Sequence, residues 1–286
     1  MAVDIARVGV VGGGQMGSGI AEVCAKAGVD VTVVEVSDDL VERSRAGITK
    51  SLDKALERGK LDEGARNEAL GRLAFSTDVS ALSDRDLVIE AVVEDLGVKT
   101  DLFERLDAVV ASDTAILATN TSSIPVTQIA VATNRPHAVV GMHFFNPATV
   151  MPLVEVVSTV VTDEACADRA AEFAAGTLNK TVVRAKDRAG FIVNKLLCPY
   201  ILEAVRMYEE GFASREDIDA AMVGGAGYPM GPLTLSDLIG NDTMLAVSES
   251  FMAEYQDPRY AAPPLLRRMV EAGHLGRKSG QGFYTY

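Results

Sequence analysis

The feature that most constrains this chain is the run Gly12-Gly13-Gly14-Gln15-Met16-Gly17, because of what stands on either side of it. Arg7–Val11 before it is a short β-branched run, and after it Ile20, Val23, Cys24 and Ala27 recur at helical spacing up to Gly28. Val31–Val34 is a second apolar run, and it ends at Glu35, twenty-three residues after Gly12. A glycine turn alone is common. A strand before it, a helix after it and a second strand closing on an acid together predict a dinucleotide-binding βαβ unit. Gly12 suits the tight turn, Gly14 lets backbone approach a pyrophosphate, and Gly17 lets the helix pack closely on the strand, while the helix start at Gln15 and Met16 offers N–H groups to the phosphates. Glu35 is the residue type that accepts hydrogen bonds from ribose hydroxyls and repels a 2′-phosphate, which favours NAD over NADP as cofactor.

The alternation continues through the first half. Asp39–Arg58 is a helical region with Leu40, Ile48, Leu52, Ala55 and Leu56 on one apolar face, and Ala65–Leu73 is a second helix. Asp86–Val93 reads as an apolar strand, Lys99–Val109 as a helix, and Ala115–Thr119 and Val139–Phe144 as further strands. This predicts an α/β fold with a parallel doubly wound sheet. Ligands on such sheets lie beyond the C-terminal ends of the strands. Those ends read Glu94, Asn120-Thr121-Ser122-Ser123 and His143-Phe144-Phe145-Asn146-Pro147, and the nearby run Leu153–Val157 is interrupted by Glu155. His143, Glu155 and the serines make a base, an orienting acid and substrate-binding groups. Taken singly, His143 also fits a hydrogen-bonded core residue and Glu155 the outward face of a strand.

Composition removes other classes. With 286 residues the chain is long enough for about two domains. With 27 Lys and Arg against 40 Asp and Glu, the net charge of −13 argues against nucleic acid as a partner, which needs a basic surface. One local exception is Val41–Arg72, with eight basic side chains against six acidic, a candidate anion patch that a solvated helix explains equally well. No apolar stretch approaches the roughly 20 residues of a membrane span, and Met1–Arg7 lacks a leader's pattern, so a cytoplasmic protein with no membrane partner is expected. Cys24, Cys166 and Cys198 are odd in number and far apart, as buried reduced thiols are, and no metal-ligand spacing is present. The last hundred residues read as helical. Phe191, Leu196, Leu197, Ile201, Ala204, Val205 and Tyr208 fall at helical spacing, Ser214 begins a capping box with Asp217, and Pro264–Ala272 is a last helix ended by Gly273. Gly224–Pro232 reads as a loop. The expected division is 1–186 and 187–286.

Together, Gly12–Gly17, Asn120–Ser123, His143–Pro147, Leu153–Val157, Gly190-Phe191-Ile192-Val193-Asn194, Gly227-Tyr228-Pro229-Met230-Gly231-Pro232 and Gly280-Gln281-Gly282-Phe283-Tyr284 resemble the L-3-hydroxyacyl-CoA dehydrogenase family, most narrowly its short-chain 3-hydroxybutyryl-CoA dehydrogenases. The resemblance spans essentially the whole chain. It implies a Rossmann-type domain followed by an all-α C-terminal domain that pairs two chains in a homodimer, and NAD-dependent interconversion of an L-3-hydroxyacyl-CoA thioester and its 3-keto form. It also implies His143 as the general base, Glu155 as its partner, and Ser122 and Asn194 near the reacting oxygen. Glu35 would meet the ribose, Glu94, Lys99, Asn120, Ser122 and Asn146 the nicotinamide side of the cofactor, and Ser51 and Lys54 coenzyme A. The chain departs from the family's usual pattern at Ala189 and Lys195, where Pro and Arg are common, and at Glu35, where Asp is common. Two other readings are a related dehydrogenase of a sugar acid such as L-gulonate and a non-enzymatic protein on this fold, as some lens crystallins are.

Overall fold

The apolar runs of the first half become the interior of a single sheet. The computed structural model describes residues 5–286; the expectation about a leader rests partly on Met1–Asp4, which lie outside the described residues. In chain order the first unit contains β1 (Arg7–Val11), α1 (Gln15–Lys26), β2 (Asp30–Val34), α2 (Asp38–Glu57), α3 (Glu63–Gly71), β3 (Leu73–Ser76), β4 (Leu87–Glu90), α4 (Leu96–Val109), β5 (Ile116–Thr119), α5 (Val126–Ala130), β6 (Val139–Phe144), β7 (Leu153–Ser158), α6 (Glu164–Glu172) and β8 (Thr181–Lys186). The strands lie in the order β3-β2-β1-β4-β5-β6-β7-β8. β4, β5 and β6 are buried at every position, as strands covered on both faces must be. The order reverses between β1 and β4, which puts the glycine turn at a topological switch point.

Local chemistry sets the helix starts. Ser37, Asp62 and Asp95 each accept a backbone N–H of the helix they precede, and Asp38 and Asp39 suit the positive end of α2. Of the stripe predicted on α2, Ile48 and Leu52 are fully buried and are joined by Val41 and Ser44, while Leu40, Ala55 and Leu56 are half-buried.

The sheet departs from the parallel expectation at one edge. β7 runs antiparallel to β6, and β8 is parallel to β7. Only residues 145–152 separate β6 from β7, too few for the crossover that a parallel pair requires. β3 and β8 escape the sequence pattern because they are edge strands of mixed exposure, β8 carrying Arg184 and Lys186. β4 is shorter than the predicted Asp86–Val93 and is not wholly apolar, since it ends on the buried acid Glu90.

Residues 189–286 form a second compact unit, the first running to Arg188. It comprises α7 (Val193–Glu209), α8 (Arg215–Ala226), α9 (Pro232–Ile239), α10 (Asn241–Tyr255) and α11 (Pro264–Glu271). Its own core includes Ile201, Leu202, Val205, Leu233, Phe251 and Leu266. Ser214 caps α8, accepting the N–H of Asp217 at 3.1 Å and donating its hydroxyl to that carboxylate at 2.6 Å. The predicted loop Gly224–Pro232 is largely not a loop: α8 runs through Gly224 and Gly225 to Ala226, and Pro232 already opens α9. Glycine inside a helix costs only about 1 kcal/mol, and proline is well suited to a first helical position. Asp219 accepts the N–H groups of Leu233 and Thr234 at 2.8 and 2.9 Å and so caps α9. The closing motif has a comparable anchor, because buried Asp237 accepts the N–H groups of Phe283 and Tyr284, each at 2.9 Å.

The three cysteines are free and buried, and burial pushes each thiol up to about 12. Among the described residues, no His, Cys, Asp or Glu cluster could hold a metal ion, and no helix is long and apolar enough to cross a membrane.

Candidate active site

The glycine turn is held from both sides. Gly12 has φ +92°, and a Cβ there would lie 2.6 Å from the Ala91 carbonyl oxygen. Gly17 is tighter still, since a Cβ would lie 1.7 Å from the Gly12 oxygen. Gly14 is the opposite case, with open space where a side chain would be. No side chain caps α1 at Gly14, so its first amides remain available to an anion. Glu35 directly follows β2, and its Oε1 and Oε2 accept the N–H groups of Gly13 at 2.5 Å and Val36 at 3.1 Å. The acid predicted to read ribose therefore stands against the turn predicted to hold pyrophosphate. Open backbone, unspent helix amides and an adjacent carboxylate fit a dinucleotide.

A cavity of about 470 Å³ opens beside this turn, with Gly14, Gln15, Glu35, Ser51 and Asn146 in its lining. Met16 is half-buried and packs on the core. Lys54 is exposed and lines a separate groove along α2 with Lys50 and Arg45, so the two residues assigned to coenzyme A do not share a cavity.

The ends of β4 and β5 carry a buried polar network. Lys99, only 1% exposed, places its Nζ 2.5 Å from Glu90 Oε1 and 3.2 Å from Glu94 Oε2. Glu94 Oε1 accepts the Thr121 hydroxyl at 2.5 Å, the Ser122 and Ser123 N–H groups at 3.1 and 3.2 Å, and the Ser123 hydroxyl at 3.0 Å. Burial raises the Glu94 pKa, but Lys99 and these donors outweigh it and hold the carboxyl below its ordinary value. Asn120 Oδ1 accepts the Phe144 N–H at 2.8 Å, which ties the end of β5 to that of β6. Glu90 escaped the sequence reading. Its signal was an acid inside an apolar run with a lysine nine positions on.

His143 and Glu155 stand directly opposite each other across the antiparallel β6–β7 pair. His143 Nδ1 lies 2.7 Å from Glu155 Oε2, and the two residues are 6% and 0% exposed. Glu155 is thus not on an outward strand face. The Phe145 ring lies 4.5 Å from the imidazole, centroid to centroid. Asn194 belongs to the second unit, in the first turn of α7. That turn is entered through Gly190 and Phe191, both left-handed, and a Cβ on Gly190 would lie 2.0 Å from the Phe251 ring. Lys195 beside it sits 2.9 Å from the centroid of the Tyr255 ring.

Comparison with known proteins bears on both units. Residues 7–188 match the family described as "3-hydroxyacyl-CoA dehydrogenase, NAD binding domain" and residues 190–286 its "C-terminal domain". A "3-hydroxybutyryl-CoA dehydrogenase" of Mycobacterium tuberculosis is 58% identical over 286 residues, covering all of both chains. Among solved structures, FadB2 of M. tuberculosis aligns with a TM-score of 0.98 at 58% identity, over 99% of this chain and 100% of that one. The (S)-3-hydroxybutyryl-CoA dehydrogenase of Ralstonia eutropha aligns at 0.94 and 43% identity, over 99% of each. A dinucleotide turn closed by an acid, a buried histidine–carboxylate pair on the same sheet and these end-to-end matches lead to one conclusion: the chain belongs to the 3-hydroxyacyl-CoA dehydrogenase family of NAD-dependent oxidoreductases.

Proposed function

We propose that this enzyme interconverts 3-hydroxybutyryl-CoA and acetoacetyl-CoA, with His143 as general base and acid. The observation that carries the reading is the 2.7 Å His143–Glu155 contact between β6 and β7 of the sheet that carries the NAD-binding turn. Gly12–Gly17 and Glu35 would hold the cofactor, which would supply hydride acceptance and donation at substrate C3. With Nδ1 engaged by Glu155, Nε2 is the imidazole atom that takes the C3 hydroxyl proton in oxidation and gives it back in reduction. Glu155 fixes the tautomer and stabilises the imidazolium. Ser122 and Asn194 hold the reacting oxygen, supplying on the order of a few kcal/mol of positioning and charge stabilisation. Ser51 and Lys54 contribute to coenzyme A binding, Lys54 from an exposed groove along α2 where Arg45, Lys50 and Lys54 stand among Glu42, Asp53 and Glu57.

With NADH and acetoacetyl-CoA, absorbance should fall faster than with longer 3-ketoacyl-CoAs, with NADPH, or with a ketone lacking coenzyme A. Silence with every thioester but NADH formation from NAD and L-gulonate would replace the substrate and keep the fold. The working form is read as a cytoplasmic homodimer joined through the second unit, where Leu196, Phe212 and Leu238 are exposed. A sedimentation mass of one 30.3 kDa chain in the active preparation would remove the dimer.

Glu35 supports the choice of NAD. Substituting Glu35→Ala should weaken NADH binding about tenfold, the equivalent of about 1.4 kcal/mol, and narrow the preference over NADPH by removing the repelling charge. Unchanged NADH affinity in a fluorescence titration would take Glu35 off the ribose.

A further inference from the structure

We propose that Glu90 is a positioning residue that sets the direction of Ser122, acting through Lys99 and Glu94 on one side and through Thr119 on the other. The inference rests on the reading that Ser122 meets the reacting oxygen.

Glu90 ends β4 and is 0% exposed, a place where a carboxylate survives only if its oxygens are satisfied. Its Oε1 accepts the Lys99 ammonium at 2.5 Å and the Val92 N–H at 2.7 Å, and its Oε2 accepts the Thr119 hydroxyl at 2.7 Å. Each oxygen then leads to the same turn. From Oε1, Lys99 reaches Glu94, whose Oε1 gathers four donors of Thr121, Ser122 and Ser123. From Oε2, the Thr119 hydroxyl, having donated to Glu90, accepts the Thr121 N–H at 3.2 Å. Two carboxylates share one ammonium, so the charge on Glu90 decides where Lys99 rests, and Lys99 in turn decides how Glu94 is aimed. Stability alone does not call for this arrangement, since a buried ion pair is often no better than apolar residues of the same volume. Holding a turn in one place does require it, because a misplacement of about 1 Å can cost about 10²-fold in rate.

The test is a double-mutant cycle. Glu90→Gln keeps the shape and removes the charge, and Thr119→Val removes only the hydroxyl. Each is made in the wild type and in Ser122→Ala, and kcat/KM with acetoacetyl-CoA and NADH is measured beside the melting temperature. Glu90→Gln should lower kcat/KM about 10- to 100-fold in the wild type and less than about threefold on Ser122→Ala, while its loss of melting temperature is the same in both. Thr119→Val should show a smaller loss with the same collapse, and it decides the matter if Glu90→Gln does not fold. A penalty that persists in full on Ser122→Ala, or a Glu90→Gln enzyme within twofold of wild type, overturns the proposal. If the wild type turns over no 3-ketoacyl-CoA, the substrate reading fails instead. A crystal structure of the Glu90→Gln or Thr119→Val protein then decides, since residues 121–123 unmoved would still refute the positioning role.

Discussion

Replacing His143 with alanine is expected to lower kcat for acetoacetyl-CoA reduction by about 10² to 10⁴, the span that a lost general acid–base group commands. NADH affinity should stay near wild type, because the residues assigned to the cofactor form other contacts. A second effect follows from burial. Glu155 is 0% exposed, and His143 Nδ1 lies 2.7 Å from its Oε2. Removing the imidazole takes one hydrogen-bond partner from a buried carboxylate, which costs about 1–3 kcal/mol, so the variant should also melt at a lower temperature. Glu155→Gln separates the two effects. It keeps an oxygen facing Nδ1 but removes the charge that stabilises the imidazolium, so turnover should fall with a smaller loss of stability. Stopped-flow kinetics and a thermal melt on the three proteins check this, and turnover near wild type in His143→Ala would end the assignment of His143 as the base.

Gly17→Ala should weaken NADH binding by about 10- to 100-fold and destabilise the first unit. A Cβ at Gly17 would stand 1.7 Å from the Gly12 carbonyl oxygen, and that atom is backbone, which cannot swing aside as a flexible side chain would. Either the start of α1 moves off the turn or the Gly12 peptide rotates; overpacking of this kind costs about 1–3 kcal/mol, and each 1.4 kcal/mol is tenfold in affinity. Gly14→Ala is the contrasting variant. Among the described residues, chain neighbours aside, nothing lies within 4 Å of a Cβ there, so it should melt like the wild type and lose affinity only where the added methyl meets the bound cofactor. Titration by NADH fluorescence with a melt for each variant reads both. Wild-type affinity in Gly14→Ala would mean that the pyrophosphate does not approach that face.

Much of the candidate site was legible because its signals are local. A glycine turn between a β-branched run and a helical stripe is a contiguous pattern, and the acid closing the second strand lies within the same unit. His143, Asn120 and Ser122 were found because strand ends can be read from where apolar runs stop. Glu90 was not, for the same reason: it sits inside an apolar run, and only Lys99 and Thr119 arriving from α4 and β5 account for a charge there. Ser51 and Lys54 lie three apart on α2, a spacing that puts them on neighbouring parts of one helix face, so the sequence alone does not separate them, yet they line different cavities.

What the sequence by itself determined, then, is the nucleotide-binding βαβ unit, the succession of strands and helices, the helical second unit and the residue types available for hydride-transfer chemistry, since each depends on periodicity or spacing over a few turns of chain. Only the tertiary structure decided that β7 turns back against β6 and so sets Glu155 opposite His143, that β3 and β8 complete the sheet, that α8 continues through Gly224 and Gly225, and that Lys99 is buried between two carboxylates. The sheet facts depend on which strands become neighbours and in what register, and the others on packing between elements that no short window of sequence contains. A one-residue slip of β7 would carry Glu155 to the other face of the sheet while leaving every local pattern unchanged.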